Sequence, residues 1–315
     1  MQIYFWGTRG SLPASLKCGA VRGKIAHALS ESRGRRLDTN EEINSFIEQL
    51  PFSVAGTYGG NTSCVEVGGL GQYFLFDAGT GLRDFGNTVA STLKTPGVFN
   101  LFISHLHWDH IQGFPFFWPA YMPGNTVNIF GCHDDIEKAL AQQQSEPFFP
   151  APLSVMRSKI NFFRLEEDRD YEIGGATVHA IRQNHPGVSY GYRVKAQGKT
   201  FVYSTDSEYL DNALDDSHPF IAFARDADLL IYDAQYSFAD SAVNKERWGH
   251  SSNILGVDQA VKARVKHLCL FHNEHTCNDL EFESFLLKTR EYLSLTAPDS
   301  KLRIDLAYDG LAINL

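Results

Sequence analysis

Residues Asn100 to His110 read NLFISHLHWDH. The run Leu101, Phe102 and Ile103, preceded by Pro96 and Gly97, has the length and composition of a buried strand, and His105, His107, Asp109 and His110 follow it at once. Residues at i and i+2 of an extended segment project to one side, so His105 and His107 would present two imidazoles to one cation. Asp109 and His110, just beyond the strand, would turn toward a second. Scattered histidines are ordinary surface or core residues, but this many ligand-type side chains at this spacing describe a metal site.

The rest of the composition bounds what such a site can serve. A chain of 315 residues with 43% hydrophobic content buries a substantial core, and one α/β domain spanning 1–315 is expected. The net charge of −9 argues against a protein that grips long nucleic acid through many phosphate contacts, although a local basic pocket remains compatible with it. Five cysteines, Cys18, Cys64, Cys132, Cys269 and Cys277, are odd in number and widely spaced, so neither a disulfide framework nor a thiolate zinc knuckle is indicated. A reducing cytoplasm fits them, and no stretch reads as a signal peptide or membrane span.

Taken in order, Gln2 to Trp6 read as a first strand closed by the loop Gly7-Thr8-Arg9-Gly10-Ser11. From about 17 to 55 the chain turns polar and basic. Asp38-Thr39-Asn40-Glu41-Glu42 then opens a helix carrying Ile43, Phe46, Ile47 and Leu50, which makes this segment a helical insertion, either a lid near the first loop or a solvated excursion. Thr57 to Val67 is a Gly-rich turn running into a strand, and Tyr73 to Phe76 is a second strand ending at Asp77. The aromatic run Phe114 to Trp118 reads mainly as core, with one or two rings left for the mouth of the site. In the second half apolar strands repeatedly deliver a polar residue at their ends: His185, Asp206, Asp233 and His272. A strand pair around Leu302 to Leu306 and Leu311 to Leu315 closes the chain.

His105-Leu106-His107-Trp108-Asp109-His110 matches in full the HxHxDH signature of the metallo-β-lactamase superfamily, and the resemblance extends over most of the chain, least at the 17–55 insertion. The resemblance implies a four-layer αβ/βα sandwich of two mixed β-sheets flanked by helices, with a dinuclear site at one edge. It implies that His105, His107 and His185 hold one divalent ion, that Asp109, His110 and His272 hold the other, and that Asp206 bridges them. Asp77 would orient a ligand rather than coordinate. Imidazoles and carboxylates without thiolate suit zinc or manganese. His107 stands where related oxygen-diiron proteins have Glu, which favours hydrolysis over redox chemistry.

Trp248-Gly249-His250-Ser251-Ser252, with Asp233, resembles the loops of the ribonuclease Z and phosphodiesterase branch, where a histidine stands over the substrate phosphate and an acid orients it. Asp109, His250 and Asp233 are thus the candidate catalytic residues. Arg9 and Asn61 are candidates to meet a phosphate oxygen, and Trp108 and Phe116 to contact substrate. His275, three residues past His272, is a competing ligand, though the strand-end position belongs to His272. The expected function is hydrolysis of a small phosphodiester, such as a cyclic nucleotide or cyclic phosphate, by attack of a metal-bridging hydroxide. A cluster of rings around the ligand loops, Trp108, Phe114, Phe116, Phe117 and Trp118 on one side and Tyr236, Phe238 and Trp248 on the other, suits a single base better than a tRNA. The alternatives are a ribonuclease Z-like endonuclease, a thioester, lactone or β-lactam hydrolase on the same metals, or a non-catalytic metal-binding protein, which the complete ligand set disfavours. Neither a membrane nor long nucleic acid is an expected partner, and a homodimer is compatible with the reading.

Overall fold

Strands buried on both faces need apolar side chains at successive positions, and the middle strands of this chain have them. The computed structural model describes residues 1–209, 212–236 and 248–315; Phe238 lies outside them. One sheet runs β14-β1-β2-β3-β4-β5-β6, with β1 at Gln2–Gly7, β2 at Cys64–Gly68, β3 at Tyr73–Phe76, β4 at Val98–Phe102, β5 at Thr126–Gly131, β6 at Lys159–Arg164 and β14 at Ala312–Asn314. The other runs β13-β12-β11-β10-β9-β8-β7, from β7 at Asp170–Ile173 through β8 at Ala176–Gln183, β9 at Ser189–Ala196, β10 at Lys199–Ser204, β11 at Leu229–Asp233 and β12 at His267–Phe271 to β13 at Arg303–Leu306. Both sheets are mixed: β3 to β6 and β10 to β13 pair in parallel, while β1, β2 and β7 to β9 pair antiparallel.

The helices are α1 (Cys18–Glu31), α2 (Asn40–Gln49), α3 (Phe52–Ala55), α4 (Gly81–Thr92), α5 (Trp108–Ile111), α6 (Ile136–Gln143), α7 (Pro219–Ala224), α8 (Asn253–Lys262) and α9 (Asp279–Thr296). Period-two alternation sorts the strand residues into layers. Phe74, Phe76, Phe102, Phe201, Tyr203 and Ile231 meet between the sheets. Leu75, Phe99 and Leu101 face outward onto Leu82 and Phe85 of α4 and Leu140 of α6, and Val202, Leu230 and Tyr232 face outward onto Phe220, Val257 and Phe282 of α7, α8 and α9. The result is the expected αβ/βα sandwich.

The insertion is helical, as its pattern implies. A capping box between Thr39 and Glu42 opens α2, which buries Phe46. Helix α1 buries no side chain, and Lys24 ties it to the body through Asp279 at 2.6 Å and the Gly56 carbonyl at 2.6 Å. The closing strands form but do not pair with each other: β13 adds in parallel to β12 and β14 antiparallel to β1. Each fills an open sheet edge, which the pattern of a terminal hairpin could not reveal. Strands β6 and β7, at the other edges, escape the sequence pattern because their exposed faces carry Lys159, Arg164, Asp170 and Glu172. No described helix is long and apolar enough to cross a membrane.

Candidate metal centre

Strand β4 ends at Phe102, so His105 and His107 lie in the loop beyond it rather than within an extended strand. Their rings still converge, with centroids 4.5 Å apart, because the loop leads into the single turn of α5, which swings Asp109 and His110 toward the same space. His185 comes from the loop between β8 and β9, Asp206 follows β10, Asp233 ends β11 and His272 follows β12 directly. Asp77, Asp206 and His272 share a left-handed backbone, with φ of 61°, 47° and 63°. Strain of this kind persists only where surrounding structure enforces it, and here it turns each side chain off its strand end into one cleft.

Potential donors fall into overlapping groups. His105, His107, His185 and Asp206 form one, Asp109, His110 and His272 a second, and Asp206, His250 and His272 a third, each with its ligand atoms within 4.8 Å of one another. Asp206 lies between the first two: its Oδ2 is 3.5 Å from His105 Nε2 and 3.7 Å from His185 Nε2, and its Oδ1 is 3.2 Å from His110 Nε2 and 3.3 Å from His272 Nε2. His185 Nε2 faces His107 Nδ1 at 3.1 Å, and His110 Nε2 faces His272 Nε2 at 3.3 Å.

The opposite ring nitrogens show which atoms are meant to be open. His110 Nδ1 donates to Asp77 Oδ2 at 2.7 Å and His185 Nδ1 donates to the Gly249 carbonyl at 2.8 Å, which leaves both Nε2 atoms as lone-pair donors. Ser104 Oγ sits 3.0 Å from His105 Nδ1, and His105 Nε2 is buried without a hydrogen-bond partner. Converging lone pairs and an orphaned buried nitrogen fit divalent cations, and the N and O donor set suits zinc or manganese. Asp77 does not join a cluster; it accepts from Ser104 N, Ser104 Oγ and Tyr203 Oη, each at 2.7 Å, while Ser11 N donates to Asp109 Oδ2 at 2.8 Å. The contributions of Ser11, Ser104 and Tyr203 carry no sequence signal, since they depend on strands brought together from distant parts of the chain. Gly249 is required twice over: its φ is 84°, and a Cβ there would lie 2.3 Å from His185 Nδ1.

Burial pushes the pKa of His105, His107 and His185 down, and neutral imidazole is the metal-binding form. Burial also opposes a proton on His110, but Asp206, Asp109 and Asp77 outweigh it and push its pKa well up. Burial would raise Asp206, yet His110, His272 and His105 hold it well below the usual carboxylate range. Asp77, Asp109 and Asp206 thus bring three carboxylates to one buried cleft, a gathering of negative charge that bound cations would answer.

His250 Nδ1 donates to Asp233 Oδ2 at 2.9 Å, and its ring stacks on His272 with centroids 5.0 Å apart. Asp233 is fixed in turn by Ser207 N and Gln235 N, each at 3.1 Å. Burial disfavours the charge on His250, but Asp233, with Asp206 and Asp109 beyond it, raises its pKa to about 9. The cap of α8 falls to Ser252, whose Oγ accepts from Leu255 N, so His250 is left to face the cleft.

Two substrate-contact expectations are corrected. Arg9 is 3% exposed and spends its guanidinium on the carbonyls of Gly59, Glu274 and Cys277, over the Phe282 ring. Asn61 gives its amide to Asp84 and the Trp6 carbonyl. Both clamp loops together, because buried backbone carbonyls claim their donors first. His275 belongs to none of the donor groups and lies beside Glu274. Trp108 is 79% exposed and Phe116 54%, whereas Phe114 and Phe117 are core.

Comparison with known proteins identifies the family and the fold. A family model described as a β-lactamase superfamily domain matches residues 72–273. Ribonuclease Z of Picrophilus torridus is 25% identical over 259 residues, covering 65% of this chain and 78% of that protein. The metallo-β-lactamase fold protein YhfI from Bacillus subtilis superposes with a TM-score of 0.64 at 19% identity, over 99% of this chain and 98% of its own. Zn(2+)-bound PqqB from Methylobacterium extorquens superposes with a TM-score of 0.65 at 12% identity over the whole of both chains. Matched over well more than half its length, the chain belongs to the β-lactamase superfamily and is one of its hydrolases.

Proposed function

We propose that this chain is a dinuclear metal-dependent phosphodiesterase acting on a small diester such as a cyclic nucleotide or cyclic phosphate. The observation that carries the reading is the pair His250 and Asp233, 2.9 Å apart beside the donor groups. His105, His107 and His185 would hold one ion, Asp109, His110 and His272 the other, with Asp206 shared. Bound there, two divalent ions, zinc or manganese, would supply Lewis acidity and an activated water. The chain's own groups do the rest. Asp77 and the Gly249 carbonyl keep His110 and His185 in the ligating tautomer. Asp233 accepts from His250 Nδ1 and favours its charged form, in which Nε2–H would neutralise charge building on the phosphoryl oxygens or protonate the leaving oxygen.

A second reading, a ribonuclease Z-like endonuclease, is favoured by the names of the sequence relatives. The overall charge of −9 supports the small substrate instead, because each phosphate contact with RNA needs its own cation. The test measures kcat/KM for 2′,3′- and 3′,5′-cyclic nucleotides and for precursor tRNA at two salt concentrations, with nitrocefin and a lactone as controls. Efficient small-diester cleavage with little salt dependence is expected. Salt-sensitive tRNA cleavage of higher efficiency would restore the endonuclease reading, and turnover of nitrocefin or the lactone alone would remove both.

A further inference from the structure

The turn that carries the donors has a second side. His105, His107, Asp109 and His110 join the donor groups, while the residues between and just after them, Leu106, Trp108 and Ile111, wall a cavity of about 520 Å³. Across it stand Phe116, Phe148 and Gln142. The volume is that of a small-molecule site. Trp108 and Phe148, 79% and 70% exposed, offer flat apolar faces that no described ring covers. Exposing two large rings beside a cleft is unfavourable unless something stacks on them.

No described residue lining this cavity is charged, so it is unsuited to a phosphate or carboxylate. Its polar side chains are amides: Gln142, exposed at the end of α6, Gln112, whose Nε2 donates to Thr62 Oγ1 at 3.1 Å, and Gln143, whose Nε2 donates to the Ile111 carbonyl at 3.0 Å while its Oε1 is buried without a partner. An amide can donate and accept at the edge of a heterocycle. Trp108 lies between His107 and Asp109 in the chain, and His107 and Trp108 are both exposed, so the cavity begins one residue away from the donor groups.

We propose that this cavity is a base-binding subsite, taking the heteroaromatic ring of a nucleotide while its phosphodiester lies over the donor groups. The proposal rests on the phosphodiesterase reading and adds what the scissile phosphate is attached to. Aromatic faces accept any base, so the subsite selects for the presence of a base more than for its identity.

The experiment compares kcat/KM for adenosine 2′,3′-cyclic phosphate with that for ribose 2′,3′-cyclic phosphate, in the metal-loaded full chain and in Trp108→Ala and Phe148→Ala. The preference for the base-bearing substrate should fall by about fivefold or more in each variant, the low end of base stacking on an aromatic side chain. Damage to the metal centre would lower both substrates together and leave the ratio intact, which would overturn the proposal. Adenosine alone, with no phosphate, serves as a probe independent of catalysis: it should quench tryptophan fluorescence in the wild type and not in Trp108→Phe. Quenching without diester hydrolysis retains the subsite and removes the phosphodiesterase reading. Hydrolysis without quenching, or quenching by decanol with none by adenosine, removes the subsite.

Discussion

Two polar stretches of this chain meet opposite fates. The segment 104–110 is rich in ionisable groups and buries Ser104, His105, Asp109 and His110, while the insertion at 17–55 is rich in charge and its first helix buries nothing. The difference lies in what each is attached to. Segment 104–110 follows β4, in the middle of a sheet covered on both faces; Asp77 answers Ser104 and His110, Ser11 answers Asp109, and His105 Nε2 is left without a partner beside the donor groups. The insertion's first helix has no strand beneath it and is tied to the body by Lys24, while α3 at its end packs Phe52 against Tyr58 and Tyr308. Charge becomes chemistry where a rigid apolar frame forces it out of water, and remains solvation where nothing does.

The strongest way to break the contrast is to empty the buried segment. Replacing His105 and His107 together by Ala should remove at least one ion per chain and essentially all hydrolysis, read by metal analysis alongside turnover; retention of both ions would remove these residues from the ligand set. Next in size is His250→Ala. It should keep its metal and lose about 10²-fold in kcat, the usual contribution of a positioned acid or charge stabiliser. Metal loss in that variant would make His250 a ligand, and unchanged turnover would make it a bystander.

Stability offers the same comparison on a smaller scale. Leu230, fully buried between β11 and the outer helices, should cost about 2 to 5 kcal/mol as Leu230→Ala, whereas Ile25→Ala on the exposed face of α1 should stay within about 0.5 kcal/mol, both measured by urea unfolding. Equal losses would show that the α1 face is covered in solution, as in a dimer.

The smallest effect is expected at the end of the sheet away from the site, where Asp228 accepts from Thr200 N and Lys266 Nζ, each at 2.8 Å. Burial alone would raise Asp228, but Lys266, Thr200 N and Lys199 hold its pKa below the ordinary 3.8. A depressed carboxylate stabilises the fold above its unfolded pKa and loses that contribution as pH falls through the folded value. Asp228→Asn should therefore lower Tm slightly at pH 7, with the gap closing under strongly acid conditions, and should leave metal content unchanged. A gap that persisted in acid would assign the effect to packing instead.

Much of the molecule is legible in its residues alone. The apolar runs that become β3, β4, β10, β11 and β12 are short and bounded by turn residues, and each ends in a group whose chemistry is conspicuous: Asp77, the HLHWDH segment, Asp206, Asp233 and His272. That regularity follows from burial, since a strand covered on both faces leaves polar residues mainly at its ends; Asn100 in the middle of β4 is held by Asn128 and Gln72. The helix at 40–49 was equally legible, because a capping box is a local device.

What only tertiary structure decided concerns partners distant in sequence. Arg9 and Asn61 carry the right groups for a phosphate and are consumed by nearby carbonyls and a carboxylate instead. Trp108 and Phe117 belong to one aromatic neighbourhood in the chain, yet one is open to solvent and the other is core. The last two strands look like a hairpin and enter different sheets. In each case residue type sets what a side chain is able to do, but hydrogen-bond competition, burial and open sheet edges decide what it does, and these are properties of the packed chain.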